Sequence, residues 1–275
     1  MFETLDVLKA TARRAGNYLR ETRRSATVVG VNASGDTSKI FDVESEAIIF
    51  TELRRGIKDC FLFVSEESGV RNFCKDPRWI VVVDPVDGSI NYEAAIPWVS
   101  ISLAVAPFKE DVALDDVVYA TVYDIFRDVD YSFDVDEGVT TAGAPVLRSP
   151  KPPSVVLGYF EAPESYRIVP EYWSERGSRA SLRSLGSAAL DIVYVGLGNV
   201  EAFIDTRARL RNVDVAAALR IATALGAKAR VCGESDVNPL HLREVRRVEC
   251  LLVGYDESYL ERLTRAHERA SRASK

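Results

Sequence analysis

Apolar residues recur at spacings of three and four through Leu5, Leu8, Ala12, Ala15 and Leu19, which is one face of a helix over residues 2–24. Arg13, Arg14, Arg23 and Arg24 fall off that face. Residues 32–39 are polar and contain Gly35, and they read as a mobile loop. A second helix is predicted over 42–55, with Gly56 placed to end it. Short apolar runs then take over: 60–64, 80–83, 99–106, 117–123 and 131–135 predict the strands of a mixed or antiparallel sheet. In the run at 80–83, Pro85 is expected to stop the ladder.

The stretch Ser149-Pro150-Lys151-Pro152-Pro153 is the strongest punctuation in the chain. It predicts a boundary between an N-terminal half, 1–147, and a C-terminal half, 153–275. Beyond it strands alternate with helices: strand 155–160, helix 164–174, strand 181–185, helix 188–197, strand 200–205, helix 213–225, strand 248–253, and a last helix from about residue 257. The fold class is therefore α/β, with an α+β first half and an α/β second half. Arg262, Arg265, Arg269 and Arg272 recur along the last helix and read as a solvated face favoured by the helix dipole.

Composition narrows the chemistry. With 35 Lys+Arg against 41 Asp+Glu the formal net charge is −6, which argues against a nucleic-acid partner. No apolar run reaches the roughly 18 residues of a membrane span and no signal peptide opens the chain, so a cytoplasmic protein is expected. Cys60, Cys74, Cys232 and Cys250 are too few and too scattered for a disulfide scaffold. No CxxC pair exists and the histidines are only His241 and His267, a spacing that argues against zinc. A metal would then be held by oxygen, which selects magnesium, manganese or calcium. Arg predominates over Lys, Gln is absent and Met occurs once, a depletion that fits a thermophilic source.

Candidate chemistry concentrates where strands end in acids. Residues 80–83 are four apolar positions followed by Asp84, Pro85, Val86, Asp87, Gly88, Ser89, Ile90, Asn91 and Tyr92. Two carboxylates so placed converge at a strand's carboxyl end, and Gly88 lets a ligand approach backbone. Free N–H groups at the following turn make an anion cradle, and acids beside a phosphate need cations between them. Taken alone, the same residues also describe an Asx-type turn. Glu66 and Glu67 follow another apolar run, and Asp214 opens a small-residue helix where an ordinary cap would also serve.

Together these segments resemble the inositol monophosphatase family, within the magnesium-dependent sugar phosphatases that include fructose-1,6-bisphosphatases. The resemblance covers nearly the whole chain. Its first signature is present at 84–92, its paired glutamates at Glu66 and Glu67, and its second signature at 213–217. Residues 35–42, 183–189 and 202–207 look like the archaeal branch, which often hydrolyses both inositol monophosphate and fructose 1,6-bisphosphate. Val213 replaces the usual Trp, Ser65 a Gly, Ser89 a Thr, and 225–227 a Gly-Gly turn; none of these replaces a metal ligand.

The resemblance implies a layered αβαβα sandwich and two or three magnesium ions, with manganese as a substitute. Glu66, Asp84 and the Val86 carbonyl would hold the first ion; Asp84, Asp87 and Asp214 the second; Glu66, Glu67 and Asp42 a third. Ser89, polarised toward Asp42, would help deprotonate the attacking water, and the N–H groups of Gly88 and Ser89 would grip phosphate. Gly186, Ser187, Ala188, Asp205 and Arg207 would meet the sugar, Arg207 taking a second phosphate. A homodimer acting on a small sugar phosphate is expected. Two alternatives stay open: a 3′-phosphorylated nucleotide substrate, which needs an aromatic purine slot, and a degenerate member that binds without turnover.

Overall fold

The computed structural model describes residues 4–22, 27–33, 35, 37–232 and 240–272. The chain opens with α1 (Thr4–Glu21), whose Leu5, Leu8, Ala12, Ala15 and Leu19 are all buried, as their spacing requires. Next come β1 (Val28–Val31) and β2 (Thr37–Lys39), paired antiparallel, β2 falling within the stretch 32–39 that the sequence predicts as a loop. The order continues α2 (Ile40–Gly56), β3 (Phe61–Ser65), β4 (Gly69–Asn72), β5 (Trp79–Asp87), α3 (Ser89–Ala94), β6 (Ser100–Pro107), β7 (Tyr119–Asp124), β8 (Val129–Asp134), β9 (Gly138–Thr141) and β10 (Ala144–Pro145). After the proline-rich stretch follow β11 (Val155–Tyr159), α4 (Pro163–Tyr166), α5 (Ile168–Arg176), β12 (Ser181–Arg183), α6 (Ala188–Leu197) and β13 (Ala202–Asp205). The chain closes with β14 (Leu210–Arg211), α7 (Asn212–Ala224), β15 (Lys228–Val231), β16 (Arg247–Val248), β17 (Leu251–Gly254) and α8 (Glu257–Arg272).

An eight-stranded sheet runs β10-β9-β8-β7-β6-β5-β3-β4, and a five-stranded sheet runs β12-β11-β13-β17-β15. In the large sheet β3 pairs parallel with β5, and the other pairings are antiparallel. Alternation along β5 sorts its side chains between two cores. Val81 and Val83 join Leu8, Ala12, Phe41 and Ile49 of α1 and α2 on one face. Ile80 and Val82 face the α6 and α7 layer on the other. That inner layer is small-residue packing, Ala104, Ala106 and Ala120 of the sheet lying in one core with Ala216, Ala217 and Ala218 of α7. The five-stranded sheet covers α6 and α7 with Phe203, Leu251 and Val253, while Ala202, Ile204 and Leu252 point outward to α5 and α8. The result is the layered αβαβα sandwich that the resemblance implies, with the middle helices sharing one core with both sheets.

Four local expectations need correction. Pro85 does not end the ladder: β5 continues to Asp87 through an irregularity between Asp84 and Asp87, the bulge accommodating a residue without an N–H. The predicted helix 164–174 is two helices meeting at Arg167. The predicted strand 248–253 is two strands, β16 pairing with β14 and β17 with β13 and β15. The cysteines, although no scaffold, pair as Cys60–Cys74 and Cys232–Cys250. On α8, Arg265 and Arg269 both reach Glu175 of α5, so that basic series is partly tied down. No helix among the described residues is long and apolar enough to cross a membrane.

Candidate active site

The bulge at the end of β5 aims its acids into the junction of the two sheets' layers. Asp84 is buried, and its Oδ1 accepts the Val86 N–H at 3.0 Å, which fixes the Pro85–Val86 peptide. Ser45 of α2 donates to the Pro85 carbonyl at 3.0 Å from the other side. Gly88 follows at φ 98°, and a Cβ there would stand 3.0 Å from the Gly186 carbonyl and 3.1 Å from the Trp98 carbonyl. A side chain is therefore excluded at Gly88 both by conformation and by space.

Asp87 crosses to the other half of the chain. Its Oδ1 accepts the Ala188 N–H at 3.0 Å and its Oδ2 the Ala189 N–H at 2.8 Å, so it caps α6 in trans. Ser100 and Ser187 both donate hydroxyls to Oδ2. Asn91, in the first signature but given no role by sequence reasoning, donates to the Trp98 and Leu185 carbonyls at 2.8 and 2.6 Å and closes the same seam.

Glu66, Asp84 and Asp214 bring carboxylate oxygens within 4.8 Å of one another. Asp214 sits in the first turn of α7, where its Oδ2 accepts the Arg211 N–H at 2.8 Å. Its Oδ1 is buried with no hydrogen-bond partner. Burial followed by mutual repulsion raises the carboxyls of Glu66 and Asp84 well above their ordinary range, and burial pushes Asp214 up to about 7. Asp87 is raised too, by burial, against the pull of its four donors. An orphaned buried oxygen among like charges is what a hard cation satisfies, so these residues fit the ions expected. Arg211, which sequence reasoning missed, supplies positive charge of the chain's own, its Nη1 lying 3.0 Å from Glu66 Oε1. Three residues before an acid at a helix start was the only signal available for it.

Ser89 Oγ lies 2.9 Å from Asp42 Oδ1 and 3.0 Å from the Val86 carbonyl, and its one proton goes to either. Burial pushes Asp42 up to about 7, against the pull of the Ser89 hydroxyl, and Glu67 adds repulsion. Glu67 itself is held by the β1–β2 hairpin. It accepts from Ser38 Oγ and, at 3.4 Å, from Asn32 Nδ2, while its carbonyl accepts the Ala33 N–H at 2.9 Å. The stretch 32–39, read from sequence as an unanchored mobile loop, is therefore anchored by polar contacts rather than apolar ones; Ser34 and Asp36 lie outside the described residues.

Beside the carboxylates opens a cavity of about 420 Å³ whose lining includes Asp87, Trp98, Tyr159, Gly186, Ala188 and Arg207. Of the predicted sugar contacts, Gly186, Ala188 and Arg207 line it. Ser187 is buried and spends its hydroxyl on Asp87 instead. Asp205 lies behind Arg207, accepting its Nε and Nη2 at 3.0 and 2.6 Å. Arg207 also pairs with Glu161, so its charge is already matched within the chain. The pocket's aromatic faces are covered as well. Arg207 lies 4.4 Å over the Tyr159 ring, and Arg127 lies 4.7 Å over Trp98, whose Nε1 donates to buried Asp191 at 2.9 Å.

A five-layer sandwich carrying a cluster of hard oxygen donors beside a polyol-sized pocket defines the class of layered, metal-dependent phosphatases. The sequence profile of the inositol monophosphatase family matches residues 2–268, and the chain belongs to that family. An inositol-1-monophosphatase of Aeropyrum pernix is 31% identical over 256 residues, 91% of this chain and 92% of that protein. A fructose-1,6-bisphosphatase/inositol-1-monophosphatase of Methanocaldococcus jannaschii is 30% identical over 201 residues, 73% of each chain. Among solved structures, an inositol monophosphatase–fructose 1,6-bisphosphatase superposes with a TM-score of 0.77 at 25% identity, covering 96% of this chain and all of the other. The Thermotoga maritima IMPase shares the fold, with a TM-score of 0.73 at 21% identity over 98% of this chain and all of the other.

Proposed function

We propose that this chain hydrolyses phosphate monoesters of polyols and sugars, inositol 1-phosphate and fructose 1,6-bisphosphate being the substrates to test, with magnesium as the ion and manganese as its substitute. The observation that carries this reading is the orphaned Asp214 Oδ1 within the Glu66, Asp84 and Asp214 cluster, beside a pocket of sugar size. Glu66, Asp84, Asp87, Asp214 and the Val86 carbonyl would hold the ions, with Glu67 and Asp42 completing a looser site. Magnesium held there would supply Lewis-acid chemistry, acidifying water and neutralising the phosphoryl oxygens.

The chain's own residues do the rest. Ser89 Oγ takes a proton from water as its own hydrogen passes to Asp42 Oδ1, which is poised near neutrality to receive it. The N–H groups of Gly88 and Ser89 orient the phosphate, and Asp87 holds the α6 start that frames the pocket. No covalent intermediate is required, because phosphoryl transfer is chiefly positioning and charge neutralisation. A nucleotide substrate is disfavoured, since the pocket aromatics Trp98 and Tyr159 already carry guanidinium groups on their faces. Binding without turnover is disfavoured by the cost of burying so many like charges. A homodimer completes the proposal; apolar side chains exposed at Val29, Val31, Val70 and Phe73 support self-association.

Phosphate release from inositol 1-phosphate, fructose 1,6-bisphosphate and adenosine 3′,5′-bisphosphate, with magnesium and then with chelator, tests the assignment. Magnesium-dependent release from a sugar phosphate is the expected result. Turnover confined to the nucleotide, or unaffected by chelation, overturns it.

A further inference from the structure

Far from the carboxylates, on the outer face of the five-stranded sheet, Cys232, Cys250 and His267 form a second cluster of ligand atoms. Both sulfurs and a ring nitrogen of His267 lie within 4.8 Å of one another. Cys232 follows β15 and Cys250 precedes β17, and the Cys232 N–H donates to the Cys250 carbonyl at 3.1 Å, so the two sit across adjacent strands. His267 reaches them from α8, whose Leu263, Ala266 and Ala270 pack in the same core as Cys250. In the oxidised chain the two cysteines are joined. Their spacing in sequence, with no CxxC and the histidine on another element, argues against zinc; folding assembles the three ligands regardless.

We propose that Cys232, Cys250 and His267 are a redox-gated site for a thiophilic divalent cation, zinc above all. Two thiolates and an imidazole are soft and borderline donors, which magnesium does not select and zinc does. His267 also lines an open cavity of about 170 Å³, so one side of this ligand borders open space.

The gating step is a thiol–disulfide exchange. A dithiol breaks the Cys232–Cys250 bond, its two electrons and two protons pass to the cysteine sulfurs, and it leaves as its own disulfide. Cation binding then displaces both thiol protons to solvent. Oxidised, the sulfurs staple β15 to β17; reduced and metal-loaded, the same sulfurs staple both strands and also α8. The edge of this sheet thus keeps a cross-link in either redox state, independently of the carboxylate site.

Cobalt, a spectroscopic stand-in for zinc, tests this on the full chain with excess magnesium filling the carboxylates. After reduction by a phosphine, which is oxidised to its oxide and competes weakly for metal, one cobalt per chain should bind and give a thiolate-to-cobalt charge-transfer band. Zinc should bleach the band, and the oxidised chain should show none. His267→Ala should weaken binding by about tenfold or more, a loss already typical of an outer-shell partner. Cys60→Ser/Cys74→Ser should leave the band unchanged, since that pair lies elsewhere. Absence of the band in the reduced chain overturns the proposal, as does a cobalt affinity in His267→Ala, read by titrating the band, equal to that of wild type. Thermal melting of each variant without metal separates loss of binding from loss of fold.

Discussion

Replacing Asp214 by Asn should stabilise the metal-free protein and cripple the metal-bound one. Asp214 Oδ2 accepts the Arg211 N–H, a bond that an Asn carbonyl keeps. Its Oδ1 has no partner, and an amide nitrogen there can donate to the neighbouring carboxylates. A carboxyl carried from 3.8 to about 7 costs about 4 kcal/mol when ionised above that range, at about 1.36 kcal/mol per pH unit. Most of that cost is burial of the charge, with repulsion from Asp87 and Asp205 added, so Asn should recover about 2–4 kcal/mol of it. For 275 residues the unfolding entropy is about 0.6 kcal/mol per degree, which converts the gain to about 3–7 °C in Tm. Because the folded chain holds this proton more tightly than the unfolded one, wild-type stability is full below 3.8 and falls as pH rises through about 7. The advantage of Asn should therefore be largest at pH 8 and shrink toward pH 5. Thermal melts in chelator at both pH values measure it, and added magnesium should raise Tm in wild type more than in the variant. An Asp214→Asn melting point at or below wild type in chelator at pH 8 refutes the cost assigned to the buried Asp214 charge.

Asp87→Asn should differ in sign. Asp87 receives four donors, and an amide nitrogen facing them leaves at least one unpaired. The metal-free variant should lose about 1–3 kcal/mol by denaturant titration and turn over little substrate, so a Tm above wild type contradicts this account. Ser89→Ala should lower kcat well over tenfold with little change in KM, the span of general-acid–base help being about 10²–10⁴; a kcat within twofold of wild type removes Ser89 from proton transfer. Glu161→Gln should release the Nη1 of Arg207, its other nitrogens staying on Asp205, and raise kcat/KM for fructose 1,6-bisphosphate relative to inositol 1-phosphate; an unchanged ratio shows that Glu161 does not set specificity. Leu8→Ala, at a fully buried position of α1, should cost about 2–5 kcal/mol without altering the magnesium requirement.

Most of the fold's elements were legible because local periodicity encodes them. The α1 stripe from Leu5 to Leu19 and the helix Ala188–Leu197 follow from side-chain spacing alone, and the apolar run before Asp84 marks β5. The β1–β2 hairpin was not legible, because polar contacts to Glu67 rather than an apolar face hold it. The motif at 84–92 likewise announced its own residues but not their partners. Arg211 stands 145 positions from Glu66, and Asp87 caps a helix 101 positions away. The composition of such pairs carries no periodic signal, since each is made only when the layers close on α6 and α7. The sequence alone determined which residues are acids at strand ends and which faces are apolar. Tertiary structure decided that Ser187 and Asp205 turn inward, that Arg207 is already paired, and that Cys232, Cys250 and His267 meet. The physical reason is that hydrophobic patterning is repeated along many residues, whereas a charge or a ligand takes its partner from whatever packing brings within a few ångströms.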